Sequence, residues 1–240
     1  WAAANDTGET DANAMGGLPE LFSDLGEAWI VANVVQYTGD SDLSDATSSE
    51  FTLRGNKCGS TAQYCLSVDG WDVYAATYVD NGTSKYNTNR ISYGSSWSAP
   101  MVSGGVALMA QAFPNHTPEQ LVDRILASAN NVWFTPDGNT TFTTHGASIK
   151  HGYHDTWGHG VPDFYSALSP ITTDANPSSF MTSNTLSAGY SNAESRLAVS
   201  DSALIQSSAF GDSLIDGIKD TQTQTYFYDA MGGGFKYDLS

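Results

Sequence analysis

The chain reads as an α/β domain, and three stretches carry that reading. Trp29-Ile30-Val31-Ala32-Asn33-Val34-Val35 is a short apolar run rich in β-branched residues, the pattern of a buried strand. Gly94-Ser95-Ser96-Trp97-Ser98-Ala99-Pro100 crowds small residues into a turn, and an apolar run of helical character follows over residues 101–110. Thr117-Pro118-Glu119-Gln120 then sets Thr at an N-cap, Pro at the first helical position and Gln at the third. Leu121, Val122, Ile125 and Leu126 follow at helical spacing, and Asn130 and Asn131 are expected to close that helix.

The remaining stretches fill in around these three. Residues 11–25 are polar and glycine-rich and read as a loop, and residues 40–50 as an acidic, serine-rich loop. Cys58 and Cys65 lie close together in a polar loop. They are expected to form a small disulfide if the protein is exported; two unpaired thiols is the alternative. Residues 78–90 read as a polar, hairpin-like loop leading to the serine turn, residues 133–150 as a β-hairpin, and residues 158–168 as a turn with a short helix. From residue 171 the composition shifts to Ser, Asp, Thr and Gly with scattered apolar residues. The expected division is a domain over 1–170 and an irregular, in places β-patterned tail over 171–240.

Composition excludes several functions. The chain has 26 acidic and 9 basic residues, a net charge of −17, so it lacks the basic surface that a nucleic-acid partner requires. The same balance disfavours docking on an anionic membrane. No stretch has the apolar length of a membrane-spanning helix. Neither cysteine sits beside a histidine in sequence, which argues against a cysteine nucleophile.

Chemistry concentrates at Ser96. A serine at the start of a buried helix lies among free backbone N–H groups and the positive end of the helix dipole. Those are the groups that help a nucleophile whose attack creates an oxyanion. Residues 94–100 resemble the serine signature of the subtilisin-like proteases, Gly-Thr-Ser-x-Ala-x-Pro, with Ser95 for Thr, Trp97 at the free position and Ser98 for Ala. Trp1-Ala2-Ala3-Ala4-Asn5 resembles that family's Ala-Ala-Gly-Asn segment, with Ala4 in place of Gly. Residues 66–76 resemble a stretch usually written with Ala-Pro-Gly, here Val68-Asp69-Gly70. Residues 158–168 resemble the turn and last helix of the family's domain. The resemblance spans roughly residues 1–170. Residues 226–235 resemble a segment that follows the protease domain in bacterial autotransporter subtilases, ahead of an outer-membrane barrel; an extended, surface-docked tail is the other reading.

The resemblance implies the C-terminal part of a parallel-sheet domain with helices on both faces. It makes Ser96 the nucleophile and Asn5 an oxyanion donor, with Ala2, Ala3 and Ala4 lining the substrate pocket. It implies hydrolysis of a protein or peptide at the cell surface or outside the cell, with no required cofactor and with room for a structural calcium. In this family the catalytic Asp and His precede the serine, yet all five histidines here follow Ser96. The expected partner is therefore an N-terminal fragment of the same protease carrying both groups. The strands flanking Ala2–Asn5 are expected to come from upstream sequence as well.

Other readings place the chemistry elsewhere. An α/β-hydrolase order would use His159 and Asp163 after Ser96, but Ser98 stands where that motif has Gly. A metal-binding or adhesive surface module would draw on His151, His154, His159, Asp155 and Asp163. A pseudoprotease would keep the fold without the reaction, although Ser96 and Asn5 are both retained.

Overall fold

The structure is a computed structural model, and it describes residues 1–78, 86–90, 93–144, 146, 148–171 and 224–238. Its centre is a three-stranded sheet in the order β2-β1-β3, built from β1 (Val31–Tyr37), β2 (Phe51–Leu53) and β3 (Cys65–Asp69). β1 and β3 run parallel, with Val31 opposite Cys65 and Val35 opposite Asp69; β2 is antiparallel to β1. The first five residues of β1 are all buried, which fits a mostly apolar run, broken by Asn33, in a strand covered on both faces. The segment at the chain start joins this sheet through a parallel bridge between Ala2 and Ala32. On that side its partner is β1 of the same chain, where upstream sequence was expected.

One face of the sheet carries α2 (Ser95–Ala112), which packs on β1 and β3. The other face meets the disulfide and the turn that follows residue 153. There the Asn33 amide reaches Thr156 O at 2.9 Å and the Ser67 hydroxyl reaches Trp157 O at 3.0 Å. α3 (Pro118–Ala127) lies beside α2. It starts on the capping box read from the sequence: Gln120 N donates to Thr117 Oγ1, and Thr117 N donates back to Gln120 Oε1. It ends three residues earlier than Asn130, on a Ser128 cap. Asn130 serves a bridge to Val161 instead, and its side-chain amide holds Leu43 O.

Residues 11–25, read as loop, contain the short helix α1 (Leu18–Leu21), and a 3-10 helix follows at Ser23–Ala28. Pro19 at the first turn favours this start, a local signal that the glycine-rich context masked. The hairpin expected before the serine turn is β4 (Tyr74–Tyr78) with β5 (Tyr86–Arg90). The one expected at 133–150 is β6 (Gly138–Phe142) with β7 (Ile149–Tyr153). α4 (Phe164–Ala167) closes this region, capped by Asp163.

Cys58 and Cys65 are bonded to each other. The segment between them is not a polar surface loop. It is a 3-10 helix at Gly59–Tyr64, and both cysteines are completely buried. From the tail, β8 (Gln224–Tyr228) and β9 (Gly234–Asp238) form an antiparallel hairpin. Its turn docks on α3 through Asp229 and the buried Met231. The likeness of residues 226–235 to a linker before a barrel thus falls on a piece held against the domain.

Candidate functional site

Gly94 caps α2, and Ser95 and Ser96 are its first two residues. Ser96 is exposed, and its hydroxyl has no hydrogen-bond partner among the described residues. Ser95, one position earlier on the helix, is 1% exposed and points the other way, into the protein. Its hydroxyl accepts from Ala4 N at 3.1 Å and donates to Asn5 Oδ1 at 3.0 Å. Its backbone N donates to the same Oδ1 at 2.8 Å. Three bonds therefore tie the chain start to the first turn of α2.

These contacts fix the Asn5 carboxamide. A backbone N–H can only donate, so the atom facing it is the oxygen, and the Nδ2 group is turned away from it. Nδ2 has no acceptor among the described residues. A Cβ on Gly94 would lie 3.2 Å from Asn5 Nδ2 and 3.7 Å from Ser96 N. Two N–H donors thus border the volume that the missing side chain leaves open. An oxygen atom placed there would meet a side-chain amide and a backbone amide at the positive end of an 18-residue helix.

Ala2, Ala3 and Ala4 lie differently from a simple pocket wall. Ala3 is completely buried, and its side chain faces the core. Its N donates to Ala32 O, and its O accepts from Asn13 N. Ala4 O accepts from Asn56 N, so most of this backbone is already bonded. Ala2 and Ala4 are half-buried and are the members of the three that border open space. Ala4 takes a φ of +106°, a region natural to glycine, which accounts for the Gly that the family pattern has there.

The described histidines are occupied elsewhere. His116 lies against Met231 O, and His154 packs against Trp157 and Phe134 beside Asp137. His151 and His159 are fully buried with their Nδ1 atoms 2.8 Å apart. They face each other rather than a centre shared with Asp155 and Asp163, and Asp163 spends its carboxylate on Ser166. Among the described residues no group of three or more His, Cys, Asp or Glu is arranged to hold a metal. His145 lies outside the described residues.

Sequence reasoning singled out Ser96 and Asn5 and passed over Ser95, which the structure bonds to Asn5. The signal was available as a second hydroxyl in the turn, at the position where the family pattern carries Thr, another hydroxyl.

A model of the subtilase family matches residues 1–160. An extracellular serine protease of Serratia marcescens is 25% identical over 147 residues, which cover 55% of this chain and 13% of that protein. Among solved structures, the prenylagaramide maturation protease PagA is similar at 18% identity and a TM-score of 0.42, covering 70% of this chain and 48% of PagA. MycP1 from the ESX-1 type VII secretion system is similar at 20% identity and a TM-score of 0.38, covering 73% of this chain and 43% of MycP1. The chain thus spans less than half the length of each of these proteins.

Proposed function

The chain belongs to the subtilase family, and on that footing we propose that it supplies the nucleophile and the oxyanion site of a serine endopeptidase. Ser96 Oγ gives its proton to a general base and attacks the scissile carbonyl carbon; the peptide C–N bond breaks, the amine leaves with that proton, and an acyl-enzyme remains for water to hydrolyse. In the tetrahedral intermediate on that path the carbonyl oxygen is an oxyanion and takes hydrogen bonds from Asn5 Nδ2 and Ser96 N. The observation that carries this reading is the fixed Asn5 carboxamide, whose free N–H faces the same open volume as the helix-start amide.

The general base and its orienting carboxylate come from sequence upstream of this chain. Two features support that. No described histidine contacts Ser96. And α2 contains no charged residue from Ser95 to Ala112, while Met101 and Leu108 on its open side are 40% and 57% exposed. Ser96, Pro100, Gly104 and Ala107 lie on that same open side. An uncharged helix face that starts at the nucleophile fits cover by the segment bringing His and Asp. The buried disulfide and the extracellular Serratia relative support a secreted or cell-surface protein, and the resemblance of residues 226–235 supports an autotransporter setting.

A fluorophosphonate probe tests the reading on the full-length protein. Labelling at Ser96, lost in Ser96→Ala, is expected. Absence of labelling in a folded wild-type protein would overturn it in favour of a subtilase fold retained as an inactive surface module.

A further inference from the structure

Beside the serine turn stands a stack of three side chains that the reaction does not use. Arg54 follows β2, and its guanidinium carbon lies 4.1 Å from the centroid of the Trp71 ring. Trp71 in turn stacks on Tyr93, with centroids 4.5 Å apart and planes 25° from parallel. Tyr93 directly precedes Gly94, the cap of the Ser96 helix, and is 38% exposed. The two loops are locked together: Gly94 N donates to Gly70 O at 3.1 Å, and a Cβ on Gly70 would come within 2.9 Å of Gly94 O. The stack is thereby fixed relative to the nucleophile's helix.

Arg54 is held but not neutralised. Its Nε donates to Gln36 Oε1 at 3.0 Å, and Nη2 donates to the same oxygen. That partner is a neutral amide. Arg54 makes no ion pair among the described residues, in a chain that has 26 carboxylates against 9 basic side chains. A guanidinium carries five N–H donors in a planar fork, and only Nε and one on Nη2 are spent among the described residues. The Gln36 bonds and the Trp71 face fix its plane, which lowers the entropy lost when it binds a second planar group.

We propose that Arg54, on its Trp71–Tyr93 support, is a specificity subsite that binds a carboxylate of the peptide substrate. This rests on the endopeptidase reading above. The carboxylate is that of an Asp or Glu side chain near the scissile bond or of the peptide's own C-terminus. Charge-assisted, forked pairing to a preorganised arginine is the strong form of this contact.

The test uses the full-length protein and pairs of fluorogenic peptides that differ only by Glu against Gln at one position, each with an amidated and a free C-terminus. One position at which Glu exceeds Gln in kcat/KM by about tenfold or more is expected for a side-chain carboxylate. A preference for the free over the amidated C-terminus of similar size is expected instead if the terminus is the ligand. Arg54→Gln should bring the ratio close to one, Arg54→Lys should retain part of it, and Arg54→Glu should turn the preference towards Lys at that position. The rate of fluorophosphonate labelling at Ser96 reports whether each variant is folded. Labelled wild-type protein with no acidic preference at any position, or an unchanged ratio in Arg54→Gln, overturns this subsite and leaves the endopeptidase reading standing. An unlabelled wild-type protein overturns both.

Discussion

Asn5 is held by a neighbour that the sequence marks only as one serine among several. Both donors of Ser95, its amide and its hydroxyl, point at Asn5 Oδ1, so the rest of the amide is aimed by default. Asn5→Leu keeps the bulk and removes the donor. Turnover is expected to fall by about 100- to 1,000-fold with little change in KM, the loss seen when a subtilisin's own asparagine donor is removed. An effect confined to KM would make Asn5 part of the pocket wall instead. Ala4 makes a different point. An alanine at φ +106° carries strain on the order of 1–3 kcal/mol, while glycine accepts that conformation and adds roughly 0.4–1 kcal/mol of unfolded-state entropy. Ala4→Gly is therefore expected to stabilise the protein by about 1 kcal/mol, read as a higher urea midpoint at unchanged slope. A lower midpoint would show that the Ala4 methyl contributes more by packing than its backbone loses.

At the scale of elements, the C-terminal hairpin is held by charge. Arg124 of α3 and Asp229 at the β8–β9 turn are 2.6 Å apart, with side chains 0% and 1% exposed. Asp229 also accepts from the backbone N–H groups of Ile171, Met231 and Gly233. Arg124 donates to Ala167 O and Ser169 O and lies 4.3 Å from the centroid of the Phe113 ring. A buried pair of this kind contributes little net stability as a pair, but breaking it strands a buried charge. Asp229→Ala is expected to destabilise by about 3–5 kcal/mol, and adding Arg124→Leu should recover much of that loss. Urea unfolding of the two variants checks this. Equal stability of Asp229→Ala and the wild type would mean that the hairpin does not contribute to the folded domain.

At the scale of the whole molecule, the His151–His159 pair joins four segments. His151 comes from β7 and reaches Ala129 O beyond α3; His159 comes from the last turn and reaches Gln63 O in the 3-10 helix. Ala129 O and Gln63 O can only accept, so each calls for a proton on the Nε2 that faces it, and a neutral pair that meets both has no third proton for the 2.8 Å contact between the two Nδ1 atoms. A further proton would fill that contact but put a charge in the core, where no carboxylate pairs with it among the described residues. Burial pushes His151 down to about 4; burial and then the charge of His151 push His159 well below its ordinary value. The unfolded chain binds protons at both near 6.5, so this stability is complete above that pH and is lost as pH falls towards 4. His151 alone accounts for about 3 kcal/mol at the acid end. Asp123, raised by burial to about 6, acts in the opposite sense, because the folded state keeps a proton that the unfolded chain releases. Asp123→Asn removes that opposition, and its unfolding free energy is expected to fall steadily from pH 7 to pH 4.5. A flat profile would contradict the buried neutral pair.

The sequence by itself determined what is written within a few residues. The Thr117 capping box, the buried β1 run, the apolar helix behind Ser96 and the hairpin read over 133–150 all rest on caps, turns and periodicities of short range. Ser96 stood out for the same reason, since a serine at a small-residue turn before an apolar helix is a local pattern. Only the tertiary structure decided which groups those elements bring together. Ser95 meets Asn5 across 90 positions, Arg124 meets Asp229 across 105, and Arg54 meets Trp71, which meets Tyr93, from separate loops. Such contacts leave no period in the sequence, because a buried polar side chain is satisfied by whichever segment the sheet and helices carry to it. The polar cysteine loop was misread for that reason: its residues look solvent-exposed one by one, yet packing against the sheet buries both sulfurs.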